Sequence, residues 1–143
     1  MLTPYEHLAI IHQAYEKATA SVCKKYKLKH KEFDILMYLH LHPDQSTATD
    51  IVKKQNLSKS HVSVSLKALE ERGYVSRSFH GSDRRTIYLN LNESANEVLE
   101  NGKIAIKDFL DSLFIDFDDT ERTQFCEHLS RLKKNVMSYI KNV

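Results

Sequence analysis

Apolar residues recur at helical spacing along most of the chain. Leu8, Ile11, Tyr15, Ala18 and Val22 step by three and four positions, the stripe of an amphipathic helix. Thr3-Pro4-Tyr5-Glu6 precedes it as a capping box with Pro at the first helical position. The polar run Lys24 to Lys31 interrupts the stripe. A second helix then places Phe33, Ile35, Leu36 and Leu39 inside, and Pro43 stops it. Residues 43–49, PDQSTAT, read as a turn rich in N-cap residues.

A short third helix is predicted from about Thr49 to Gln55, with Asn56 as a left-handed cap. Ser58 caps a fourth helix that buries Val62, Leu66 and Leu69 and ends at Gly73. Two short helices so closely joined form a helix-turn-helix.

After Gly73 the period changes. Residues 74–79 and 86–91 are rich in β-branched and aromatic side chains, and Ile87, Leu89 and Leu91 alternate with polar or amphipathic neighbours. His80-Gly81-Ser82-Asp83-Arg84-Arg85 between them predicts a polar tip, hence a β-hairpin wing. Asn92 is expected to cap a fifth helix with Val98, Leu99, Ile106, Phe109, Leu110 and Leu113 on its apolar side. Gly102, in the middle of that helix, costs about 1 kcal/mol relative to Ala, which a close helix crossing would explain. Asp118 to Glu121 fits another capping box. The sixth helix it opens carries Phe125, Leu129, Leu132, Val136 and Ile140 on one side.

The predicted fold class is therefore mainly α with a small β wing: a winged helix-turn-helix with N- and C-terminal helices. The terminal stripes are too long to be buried by the central lobe alone, so they must pack on each other, on a second subunit, or both.

The 143 residues suit one domain, and the 41% hydrophobic share is enough for a core. Three Gly and two Pro leave too few turns for an all-β sandwich or barrel. No apolar run approaches a membrane span, and MLTPYEHLAI lacks the basic and apolar regions of a secretion signal. Two distant cysteines do not make a disulfide scaffold, so a reducing cytoplasm is expected.

The net charge of +2 is uninformative until it is divided along the chain. Residues 1–45 carry +1, residues 46–91 carry +4, residues 92–120 carry −6 and residues 121–143 carry +3. The helix-turn-helix and wing thus form the basic segment, which suits a phosphate backbone.

Leu57 to Arg77 reads L-S-K-S-H-V-S-V-S-L-K-A-L-E-E-R-G-Y-V-S-R, and Asp83 to Ala95 reads D-R-R-T-I-Y-L-N-L-N-E-S-A. In these segments, and in element order along nearly its whole length, the chain resembles the MarR family of bacterial winged-helix transcription regulators. Two departures stand out. The family's L-T-x-x-G after the wing is Leu91-Asn92-Glu93-Ser94-Ala95 here, and a small Ala in the first helix of the motif is Val52.

The resemblance implies one domain over 1–143. A DNA-binding lobe would span about 30–91, and dimerisation helices about 1–28 and 92–143. It implies a homodimer on a pseudo-palindromic double-stranded DNA operator, in a bacterial or archaeal cytoplasm, more often as a repressor.

The fourth helix would enter the major groove with Ser60, His61, Val64 and Lys67 outward and Ser58, Lys59 and Ser63 near the entry. Serine hydroxyls suit phosphates, His61 and Lys59 suit phosphates or base-edge acceptors, and Val64 suits a thymine methyl. Without Arg, Asn or Gln on this face, direct base readout is modest. By resemblance, Arg85 reaches the minor groove with Asp83 holding its guanidinium, while Arg84 and Arg77 contact phosphates.

Such regulators often respond to small aromatic or phenolic compounds. Tyr15, Tyr26, Phe33, Met37 and Tyr38 are the candidates to line that cleft. Cys23, beside Lys24 and Lys25, is a candidate redox site, since cationic neighbours lower a thiol pKa. Cys126 is expected to be packed beside Phe125.

No cofactor and no metal is expected. His40 and His42 are two apart and His7 and His12 five apart, the wrong spacing for one helix face. Catalytic motifs are absent, so no enzyme activity is expected. The alternative readings are a redox-sensing regulator acting through Cys23, and a winged-helix protein-interaction module without a ligand switch.

Overall fold

A computed structural model describes residues 1–55 and 57–143. The cap expected at Asn56 lies outside the described residues. The chain divides into two compact units, Met1–Lys107 and Asp108–Val143.

In the first unit the order is α1 (Pro4–Lys25), α2 (His30–Leu41), α3 (Ala48–Gln55), α4 (Lys59–Glu71), β1 (Val75–His80), β2 (Asp83–Leu91), a 3-10 turn (Glu93–Ala95) and most of α5 (Asn96–Leu113). Local capping chemistry explains several starts. The Thr3 hydroxyl accepts from the Glu6 N–H, and the Glu6 carboxylate returns to the Thr3 N–H at 2.7 Å. Thr47 and Asp50 make the same reciprocal pair at α3. Ser58 accepts from the His61 N–H at 3.1 Å and starts α4.

Asn92 departs from expectation. It precedes the 3-10 turn rather than α5, and its side chain makes no capping bond. Its amide donates instead to the Gly73 carbonyl and its oxygen accepts from Ser76. Those partners face it only once the hairpin has folded back.

The core gathers Phe33, Ile35, Leu36 and Leu39 of α2 with Ile51 of α3, Val62, Leu66 and Leu69 of α4, Val75 and Leu89 of the hairpin, and Val98 and Leu99 of α5. Gly102 explains how α5 approaches. A Cβ there would lie 2.8 Å from Phe33 Cε2 and 3.0 Å from Met37 Sδ. The glycine is a close crossing, as its cost in a helix suggested.

The hairpin is antiparallel, pairing Val75 with Leu91 and Arg77 with Leu89, and its register shifts between Ser78 and His80. It is longer than the residue pattern suggested. His80 pairs with Asp83, so only Gly81 and Ser82 form the tip, and Gly81 takes the positive φ of +59° that the reversal needs. Leu89 N–H donates to the Ser46 carbonyl at 2.9 Å, which docks the wing on the turn between α2 and α3.

The second unit contains the end of α5 and α6 (Asp119–Lys141). Asp118 and Glu121 form the expected capping box. Phe114 meets Phe117 and Phe125 edge to face, with the Arg122 guanidinium 4.7 Å from its ring. No residue of α6 is buried in the protomer, and Leu129, Leu132, Val136 and Ile140 are all exposed. Cys126 is exposed too, contrary to the expectation that it packs beside Phe125.

Candidate nucleic-acid interface

The helix-turn-helix presents α4 with its apolar face inward and its polar face free. Val62, Leu66 and Leu69 are buried, while Ser58, Lys59, Ser60, His61, Ser63, Val64 and Lys67 are all exposed. Val64 is 64% exposed, an apolar side chain that the core does not claim. The first turn of α4 carries no acidic residue, so no carboxylate of that turn opposes an anion at the positive end of the helix dipole. Lys31, from the first turn of α2, brings its Nζ within 3.3 Å of His61 Nδ1. Sequence reading missed Lys31 because it stands thirty residues away, inside a polar run with no pattern of its own.

On the wing, Asp83, Arg84 and Arg85 lie on strand β2 rather than in the tip. The Asp83 carboxylate accepts from the Arg85 backbone N–H at 2.9 Å. The expected clasp on the Arg85 guanidinium is therefore replaced by one on the main chain, and the arginine head is left exposed. The physical reason is spacing: two residues along a strand, side chain and backbone amide meet more readily than two side-chain heads. Arg84 stacks its guanidinium 5.0 Å from the Phe79 ring. Arg77 is exposed but pairs with Glu70 across 2.5 Å, so its charge is partly met within the protein.

The residues considered for effector binding do not share one environment. Phe33, Met37 and Tyr38 are buried, the first two against Gly102, while the Tyr38 hydroxyl donates to the Gln45 carbonyl. Tyr26 donates to Glu97 and accepts from Asn101. Tyr15 donates to Asp34 at 2.7 Å. Asp34 lines a concave region of about 630 Å³ with His12, Glu16, Lys29, His30, Lys31, Gln55 and Leu57. Burial raises the Asp34 pKa above the ordinary carboxylate value, although the Tyr15 hydroxyl and the nearby His30 and His12 work the other way. Burial, and then the Asp34 carboxylate, likewise hold the Tyr15 hydroxyl above its ordinary value.

Cys23 corrects an expectation. The residue is 5% exposed, and its thiol is pushed up to about 11, chiefly by burial and then by the negative charge of Asp34. Lys24 and Lys25, its neighbours in sequence, are exposed, and the thiol faces the core instead. The physical basis for a reactive thiolate is thus missing.

The sequence profile of the MarR family matches residues 26–86, which run from the end of α1 into the wing. The HTH-type transcriptional regulator YwhA of Bacillus subtilis (strain 168) is 30% identical over 102 residues, spanning 68% of this chain and 70% of that protein. The chain belongs to the MarR family. A second relative in the same organism, the HTH-type transcriptional regulator YdgJ, is 29% identical over 101 residues; the match spans 71% of this chain and only 62% of YdgJ's length. Solved structures share the fold over most of the chain. The crystal structure of Staphylococcus aureus MepR in its DNA-binding conformation superposes with a TM-score of 0.84 at 18% identity, covering 94% of this chain and 99% of MepR. As a MarR-family member the chain is a DNA-binding regulator of transcription, and β1–β2 form the small wing that follows its helix-turn-helix.

Proposed function

We propose that the protein is a sequence-specific repressor that binds a pseudo-palindromic operator in double-stranded DNA as a homodimer. The observation that carries this reading is the outer face of α4, wholly exposed and free of acid in its first turn, followed directly by a wing with exposed Arg84 and Arg85. In this reading Ser58, Lys59, Ser60, Ser63 and Lys67 meet phosphates, His61 and Val64 face base edges, and Lys31 adds a positive charge beside His61. Arg85 enters the minor groove, with Asp83 shaping the strand beneath it. Arg84 and Arg77 lie along the backbone, Arg77 contributing less because Glu70 holds it.

The lobe of about residues 30–91 reads DNA, and the helices of about 1–28 and 92–143 supply the subunit contact. The exposed apolar positions of α1 and α6, Leu8, Leu129, Leu132, Val136 and Ile140 among them, support that role. The work is binding rather than catalysis and belongs in the cytoplasm; among the described residues no helix is long and apolar enough to cross a membrane. A small aromatic or phenolic effector acts at the edge of the α1–α2 cleft, where Tyr15 and Asp34 meet, rather than among the packed rings of Phe33, Met37 and Tyr38.

The test begins with a duplex selected by the protein from a random-sequence pool. Binding is followed by fluorescence anisotropy in increasing KCl. For six to ten phosphate contacts, affinity should fall by about 10³ to 10⁵ between 50 and 200 mM salt. Affinity that does not weaken with salt contradicts the reading, and so does a monomer by light scattering at micromolar concentration.

A further inference from the structure

The C-terminal end of the reading helix is tied down by side chains that have no part in its core. Arg72 is the residue on which α4 ends. Its Nη1 donates to the Lys27 carbonyl at 2.9 Å and its Nη2 to the Tyr26 carbonyl, so the guanidinium fork spans two carbonyls of the turn that directly follows α1. The same guanidinium lies 4.9 Å from the Tyr74 ring. Tyr26 carries the link onward: its hydroxyl donates to Glu97 at 2.9 Å and accepts from Asn101 at 2.8 Å, both on α5. Immediately after Arg72, the Gly73 carbonyl accepts from Ser94 at 2.6 Å and from Asn92 at 2.8 Å, and Gly73 holds the positive φ of +75° that turns the chain into β1.

This corner joins α4 to both helices that frame the lobe. Its partners lie 45 and 46 residues from Arg72 in sequence, so it is a tertiary device and not a local cap. It lies at the opposite end of α4 from Ser58, which leads into the proposed groove. Thirteen helical residues span about 20 Å. A pivot of about 10° at the anchored end then moves the reading end by about 3.4 Å, one base-pair rise.

We propose that Arg72 is a positioning residue that pins the tilt of α4 to α1 and, through Tyr26, to α5, and so fixes the half-site spacing the dimer accepts. This rests on the DNA-binding reading above. Arg72 does not touch DNA in it, because one N–H of each Nη is engaged by a backbone carbonyl and the guanidinium lies against the Tyr74 ring. Its side chain is exposed, so substitution leaves the core packing in place.

The experiment uses the full chain and a duplex that the native protein selects from a random pool, together with versions whose half-sites are moved apart or together by one base pair. Native protein should prefer the selected spacing by about tenfold or more, the equivalent of one decade in Kd. Arg72→Met should weaken binding to the selected duplex by about tenfold, with discrimination between spacings falling to about threefold or less. The slope of log affinity against log salt should stay unchanged. Arg72→Lys should not rescue, since an ammonium cannot span two carbonyls as a fork does.

A slope reduced by about 0.9 with spacing preference retained would make Arg72 a phosphate contact and overturn the proposal. Unchanged spacing preference at unchanged affinity would overturn it too. Tyr26→Phe, which keeps the carbonyl but cuts the tie to Glu97 and Asn101, is the second variant. It should relax spacing preference in the same direction, and if Arg72→Met fails to fold, its result decides. Native protein that selects no duplex at all refutes the DNA-binding reading itself, and the proposal with it.

Discussion

Gly102→Ala is the sharpest test of how the lobe is packed. In an exposed helix interior this change stabilises by about 1 kcal/mol, because alanine is the better helix former. Here the new methyl would sit 2.8 Å from Phe33 Cε2, 3.1 Å from Phe33 Cζ and 3.0 Å from Met37 Sδ. Carbon atoms settle at about 3.5 to 4.0 Å, so the neighbours must open by several tenths of an ångström to about 1 Å. Phe33 is fully buried and cannot swing into solvent, whereas Met37 can change rotamer. Over-packing of this kind costs about 1–3 kcal/mol. Set against the propensity gain, the net effect should be a loss of about 1 kcal/mol.

Urea unfolding followed by far-UV circular dichroism measures it, at one fixed protomer concentration because self-association shifts apparent stability. A double-mutant cycle isolates the cause. In a Phe33→Leu background the ring atoms that clash are gone, so Gly102→Ala should turn neutral or stabilising, with a coupling of about 1–3 kcal/mol. A stabilising Gly102→Ala in the otherwise native protein, or the same effect in both backgrounds, would refute the close crossing.

Other outcomes follow from the site. Arg85→Ala should abolish binding to the selected duplex while light scattering and circular dichroism stay native; unchanged binding in a shift assay would remove the wing from recognition. Because folding raises the Asp34 pKa, its proton is held more tightly in the folded state, and stability linked to this group is lost as pH rises through and above the ordinary carboxylate range. Native protein should therefore lose stability relative to Asp34→Asn as pH rises above the ordinary carboxylate range, and a difference that is flat or of opposite sign contradicts the burial argument. In a Cys126→Ser variant the remaining thiol, Cys23, should react with a thiol reagent about 100-fold more slowly in the native state than in urea, as its pKa rises from 9.0 to about 11. Equal rates would restore it as a redox candidate.

Chemistry confined to a few neighbouring residues was legible without coordinates. Thr3 with Glu6, Ser58 with His61 and Asp118 with Glu121 form their caps because donor and acceptor lie three residues apart, wherever the helix is later placed. The inward side of α4 followed from its period, and Gly102 announced a close approach by its cost. Several misreadings involved a partner distant in sequence or the reach of a side chain. Asn92 seemed a cap until Gly73, nineteen residues earlier, took its amide. Cys23 seemed surrounded by lysines until the fold turned its thiol toward the core and Asp34. Asp83 holds backbone rather than guanidinium because the hairpin is longer and its turn shorter than composition suggested.

By itself, then, the sequence determined the helices, their caps, the apolar faces and the order that makes a winged helix, since all of these depend on periodicity and short-range hydrogen bonding. It also concentrated positive charge in the reading segment. Only the tertiary structure decided that Lys31 reaches His61, that Phe33 closes on Gly102, and that Arg72 binds the end of one helix to the end of another. Side chains thirty to seventy residues apart meet only when packing brings them together, and no local pattern records which of them will.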